Sequence, residues 1–159
     1  MKLPKVESAI KLCKDHLDNT KAKGTEIESI LTKYLLVYIC GAYEIEIKRM
    51  VTQRAGKTGD KEIESFVMNT IKTFRSLRMK DIRESLLGRF SDGCKAAFDS
   101  KVTGTEAETR FTNIILNRHS IAHGREIHMT FDELVESYYK AGTVLTAIKD
   151  ALGVNGGSP

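Results

Sequence analysis

Between Pro4 and Pro159 the chain contains no proline. An interior proline removes a helical hydrogen bond and clashes with the turn before it, at a cost of about 3 kcal/mol or more. Its absence over almost the whole length leaves long helices unopposed. The apolar residues follow the same logic. Leu3, Val6, Ile10, Cys13 and Leu17 step by threes and fours, the period of one helix face. No segment carries a convincing strand pattern, and the expected fold is all-α: a single-domain bundle of about six helices.

Punctuation divides the bundle. Residues 3 to 19 read as the first helix. Lys23-Gly24-Thr25 ends it and opens a second helix from about 26 to 54, with Thr25 and Glu28 spaced as a capping box. The middle of that helix, Tyr34 to Ile45, is apolar nearly all round, the mark of a central buried helix. Ala55 to Asp60 is a glycine-rich turn. A third helix carries Ile63, Phe66, Val67, Thr70, Ile71, Phe74 and Leu77 on one face. Two short helices, 81 to 90 and 91 to about 101, are expected with a break near Gly88. Thr105 and Glu108 form a second box spacing before a helix that runs to His123, where Gly124 fits the position after a helix end. The last helix starts behind Thr130, with Asp132 and Glu133 in its first turn. Residues 1–152 are read as the helical domain and 153–159, rich in glycine, as a flexible tail.

The 159 residues are about the size of one domain and can bury a core without staples. Three cysteines, Cys13, Cys40 and Cys94, are widely spaced among apolar neighbours, which reads as buried, reduced thiols of an intracellular protein. No leader is visible, and the longest apolar run, Tyr34 to Tyr43, is too short for a bilayer. A cytoplasmic location is expected, with no membrane contact. The net charge is +4. Between Lys72 and Arg89, six cations (Lys72, Arg75, Arg78, Lys80, Arg83, Arg89) face Asp81 and Glu84, an excess equal to that of the whole chain. Such a face suits a polyanion such as RNA, or is simply a solvated helix surface. Arg75, Arg78, Lys80 and Arg83 are the candidate substrate-binding residues.

The chemistry concentrates in Asn117-Arg118-His119-Ser120-Ile121-Ala122-His123-Gly124. Arginine clamps phosphate with a permanent charge, and histidine moves protons near neutral pH. On a helical wheel Phe111, Ile114, Ile115 and Ala122 share the core arc, and Arg118 falls in its middle. A buried, unpaired guanidinium is costly, so Arg118 snorkels, pairs with a carboxylate or faces a cleft. His119 and His123 lie one turn apart on the flank. Their i, i+4 spacing is also that of a zinc pair, with His128 or Glu126 as a third ligand, but Ser120 stands where the zinc-protease pattern needs glutamate, and no metal is expected. Gly56-Lys57-Thr58-Gly59 lacks the strand and upstream glycine of a phosphate loop. Ser120 and Cys94 have no partner of an activated nucleophile.

Arg118-His119-x-x-x-His123, followed by Gly124, resembles the R-φ-x(3)-H signature of HEPN domains, where φ is commonly Asn, Asp or His. The all-α frame, the long early helix and the late motif are also similar to that family. The resemblance implies a homodimer in which motif helices meet at a two-fold axis, and a metal-independent endoribonuclease of the toxin or anti-phage type, without a cofactor. It also implies RNA as substrate and an antitoxin or nucleotidyltransferase as partner. The tyrosine found two residues after the histidine in some toxin members is absent, since Arg125 stands there. In that reading Arg118, His123 and His119 are catalytic, and Asn117 and Glu44 support them. Other HEPN domains are inactive, so the alternative expectation is a non-catalytic module that binds a nucleotide, RNA or a protein partner.

Overall fold

The computed structural model describes residues 1–127 and 129–154. Among them the regular secondary structure is all helical. Seven α-helices follow in order: α1 (Pro4–Thr20), α2 (Glu26–Gly56), α3 (Lys61–Lys72), α4 (Gly88–Phe90), α5 (Asp92–Val102), α6 (Glu106–Ala122) and α7 (Phe131–Ala151). A π-helical segment, Asp81–Leu87, runs directly into α4. Pro4 occupies the first turn of α1, where a missing N–H costs nothing.

The centre of the bundle is α7. It packs against α2, α5 and α6 and buries Leu134, Tyr138, Ala141, Val144, Leu145 and Ile148 along its length. The α2 helix lies beside it but is not wrapped. Leu35, Leu36, Ile39, Tyr43 and Ile47 are fully buried, whereas Ile27, Ile30, Tyr34, Val37 and Ile45 on the opposite face are exposed. The all-round apolar pattern of α2 therefore corrects to two faces, one in the core and one bare.

An aromatic column ties the layers together. The Tyr43 ring of α2 stacks on Phe111 of α6, with centroids 5.3 Å apart and planes 9° from parallel. It also stacks at 6.2 Å on Tyr138 of α7. All three are at most 1% exposed. The hydroxyls are satisfied: Tyr138 accepts the Leu3 N–H at 2.7 Å, and Tyr43 donates to the Tyr138 carbonyl at 3.5 Å. A buried phenol without a partner would be costly.

Several boundaries differ from the periodic reading. The α3 helix stops at Lys72, and Phe74 to Arg78 is irregular. Leu77 is buried from that irregular segment rather than from a helix face. The break expected near Gly88 falls at Ser91, which caps α5 by accepting the Cys94 N–H. Gly88 instead serves the π-helical turn. Its N–H reaches back to the Arg83 carbonyl, and a Cβ there would stand 3.1 Å from that oxygen. At both box spacings the glutamate caps the glycine before the threonine. Glu28 accepts from Gly24 N–H and Glu108 from Gly104 N–H. The complete box belongs to Thr130 and Glu133 at the start of α7. Gly153 and Val154, read as the start of the tail, close α7, and Val154 is buried; residues 155–159 lie outside the described residues.

Truncating the column tests its role. Phe111→Ala should lower the urea-unfolding free energy by about 3–5 kcal/mol. Leu116→Ala, on the same helix but 59% exposed, should change it by less than about 0.5 kcal/mol. Equal effects would show that the column does not fix α6.

Candidate active site at the end of α6

Helix α6 is placed by its first half. Ala107, Phe111 and Ile114 are buried, and Thr105 accepts the Glu108 N–H at its start. Arg118 is next on the same stripe, one turn after Ile114. Ile114 is the last fully buried residue of the helix; Arg118 is exposed, as is Ala122, while Ile121 stays half-buried against the core. The buried-arginine problem posed by the wheel is thus resolved geometrically, because the Arg118 side chain lies in solvent beyond the last fully buried turn. Among the described residues Arg118 has no ion-pair or hydrogen-bond partner. It lies close enough to α2 for its charge to act on Cys40. Burial pushes that thiol up to about 12, and the guanidinium opposes the rise.

The helix then closes with a left-handed glycine. Gly124 sits at φ +66°, its N–H bonds to the Ile121 carbonyl at 3.0 Å, and the Arg125 N–H bonds to the Ser120 carbonyl at 2.9 Å. This pair of bonds is the Schellman closure. It fixes His123 as the last residue in register with the helix. The His119 and His123 rings consequently meet edge to face, with centroids 4.3 Å apart. Leu116, one turn earlier on the same flank, is exposed.

The cluster is cationic from every side. The charge of His123 acts most strongly to hold the His119 imidazole below its ordinary value of 6.5, followed by partial burial and by Arg78, Arg125 and Arg118. Arg78 reaches the site from the irregular segment after α3. This arrangement assembles an exposed arginine, two adjoining imidazoles and two further guanidiniums at one helix end. Arg125 was not singled out by the sequence reading; the signal was its place directly after the terminating glycine, where the chain turns back past the histidines.

The other expected site residues divide. Arg75 and Lys80 are exposed. Arg83 is a correction. It is turned inward, donating to Asp99 at 2.6 Å, Glu108 at 2.7 Å and Thr103 at 3.2 Å, and its guanidinium lies 5.8 Å from the Phe98 ring centroid. It ties the π-helical segment to α5 and α6 and presents no free charge to a ligand. Glu44 is also corrected. It pairs with Lys48 at 2.7 Å, one turn along α2, rather than with Arg118 or a histidine. Asn117 donates to the Asn113 carbonyl at 2.9 Å, a contact internal to α6. Glu126 is exposed, and His128 lies outside the described residues. Among the described residues no three His, Cys, Asp or Glu side chains converge as metal ligands. Cys13 and Cys40 are buried and Cys94 half-buried, all free thiols. No described helix is long and apolar enough to cross a membrane.

A family model described as RiboL-PSP-HEPN matches residues 3–153. No curated protein and no solved structure matches the chain.

The coupling of the two imidazoles is directly measurable. A proton NMR titration should place the His119 midpoint below 6.5, and His123→Ala or Arg78→Ala should move it upward, His123→Ala the further of the two. A His119 midpoint at or above 6.5 in the unaltered protein would contradict the cationic cluster.

Proposed function

The chain belongs to the RiboL-PSP-HEPN family, and on that premise we propose that it is a metal-independent endoribonuclease working as a homodimer. The observation that carries this reading is the exposed, unpartnered Arg118 beside the His119–His123 ring pair. A guanidinium already spent in an ion pair, as Arg83 is, could not clamp phosphate; Arg118 is free to do so.

The chemistry follows from the side chains. The 2′-hydroxyl attacks the adjacent phosphorus, the phosphorus–5′-oxygen bond breaks, and the products end in a 2′,3′-cyclic phosphate and a 5′-hydroxyl. One group takes the proton of the 2′-hydroxyl and another gives one to the departing 5′-oxygen. His119, held below the ordinary histidine range, is uncharged at neutral pH and able to assist by accepting. His123 transfers the proton to the leaving oxygen. Arg118 bridges two phosphate oxygens as negative charge builds. Acid, base and clamp are thus all supplied by side chains, and Arg75, Arg78 and Lys80 extend the positive surface along the RNA.

A second copy supplies the same groups from the other side of the phosphate. The bare face of α2 supports that assembly. Ile27, Ile30, Tyr34 and Val37 recur by threes and fours, the spacing of a helix–helix seam, and all are exposed. A monomer seldom leaves so continuous an apolar stripe in water. Arg118 acts on Cys40, one turn after Val37 on the same helix, and in this reading pairing along α2 brings two motif ends near one another. In a cell, such cleavage makes the chain a cytoplasmic toxin or anti-phage effector, restrained by an antitoxin or nucleotidyltransferase.

The purified chain should cleave single-stranded RNA in excess EDTA. Arg118→Ala and His123→Ala should each lower the rate on the order of 10²–10⁴-fold with unchanged thermal melting, since both side chains are exposed. RNA cleavage that survives either substitution, or that EDTA abolishes, sinks the assignment; binding of RNA without cleavage identifies a non-catalytic module. The acid limb of the rate profile should fall with a midpoint below 6.5, because protonating His119 removes the acceptor. Tyr34→Glu or Val37→Glu should yield a folded monomer by sedimentation equilibrium and abolish cleavage. A monomeric, fully active parent chain would remove the dimer from the mechanism.

A further inference from the structure

A groove of about 740 Å³ opens between the second half of α2, α3 and the π-helical segment. Its floor is core: Val51, Ala55, Ile71 and Leu86 are each at most 8% exposed. Its walls carry three aromatic rings, Phe66, Phe74 and Phe90. Phe66 is 71% exposed and Ile63 48%, so the apolar face of α3 stands half in water beside an apolar floor. Hydroxyls from Thr58, Thr70 and Ser85 dot the lining.

The charge around this groove has one sign. Arg54 and Arg89 line it, and no carboxylate does among the described residues. Both arginines are exposed, and among the described residues neither has an ion-pair partner. Other surface cations are paired, as in Arg49–Glu46 and Lys101–Asp150. An apolar trough with two unspent guanidiniums in its lining matches a ligand with an apolar body and an anionic group. The volume falls in the range of about 300–1,000 Å³ typical of small-molecule sites.

We propose that this groove binds a small anionic amphiphile, its apolar body laid between α2 and α3 and its head group held by Arg54 and Arg89. The site uses none of the residues assigned to RNA cleavage. Its neighbour in the chain is nonetheless the irregular segment that carries Arg78: Thr73 and Phe74 line the groove, and Arg78 faces His119 four residues later.

Calorimetric titration of the full chain with decanoate, decanol and decyltrimethylammonium, each below its micelle concentration, tests the proposal. Decanoate should bind one per chain and at least about tenfold more tightly than the ammonium compound, the scale of a lost charge-assisted hydrogen bond. The double variant Arg54→Gln, Arg89→Gln should erase that preference, and Phe66→Ser should weaken all three probes. Both sets of side chains are exposed, and a melting curve checks that the variants fold. His123→Ala should bind decanoate as the unaltered chain does, which separates this site from the catalytic reading. Equal affinity for anion and cation, or affinity indifferent to the arginine variants, overturns the proposal. Tight binding of an acidic amphipathic peptide with none of decanoate also overturns it and reassigns the groove to a protein partner.

Discussion

The aromatic column of Phe111, Tyr43 and Tyr138 is the constraint on which the other geometry rests. Three large rings from three helices are stacked and removed from water, and burying each is worth roughly 1.5–3 kcal/mol before stacking is added. The column fixes how far α6 slides along α2 and α7. It sits one turn before Ile114 and two turns before Arg118. The motif end of α6 is therefore cantilevered from a rigid anchor. That separates two requirements that conflict at a single position: dense packing for precision, and exposure for reach to a polyanion.

The same cantilever explains what the sequence revealed and what it withheld. The stripe through Ala107, Phe111 and Ile114 was legible, and so was Arg118 as its continuation, since a wheel records direction around the axis. A wheel has no coordinate along the axis for where the partner layer stops. Nothing in the period distinguishes a position facing α7 from one that overhangs it. Gly124 was legible for a different reason: a left-handed residue is demanded locally, and glycine supplies it without a Cβ penalty. Gly124 held the place a local rule gave it; Glu44 and Arg83, placed by supposed partners, did not. Glu44 and Arg83 were read from the charges they carry; Glu44 is taken by Lys48 one turn along its own helix, and Arg83 by Asp99 and Glu108, which the tertiary fold brings near.

Arg83 shows how backbone form sorts charges that look alike in sequence. The cations from Lys72 to Arg89 would share a surface only if the segment were one regular helix. It is broken twice, first at the end of α3 and again by the wide π-helical turn that Gly88 accommodates. The first break releases Arg78 toward the histidines. The second turns Arg83 toward Asp99 and Glu108, where two carboxylates compensate the loss of hydration that a half-buried guanidinium suffers. One cation acts electrostatically on the site while another, five residues later, acts as a brace between α5 and α6.

The α2 helix carries the last consequence. Its low contrast between faces hid a division of labour, because a helix apolar all round looks buried whether its second face meets the same chain or another one. Wrapping α2 completely would need a further helix on the Ile30–Val37 side, and the described chain supplies none. The energy not gained there is large: several exposed aliphatic and aromatic side chains at roughly 25 cal/mol per Å² of apolar surface. A partner that covers the stripe recovers it. In the proposed dimer, covering that stripe and bringing two motif ends together would be one event, so that assembly and phosphate chemistry would be coupled through one helix.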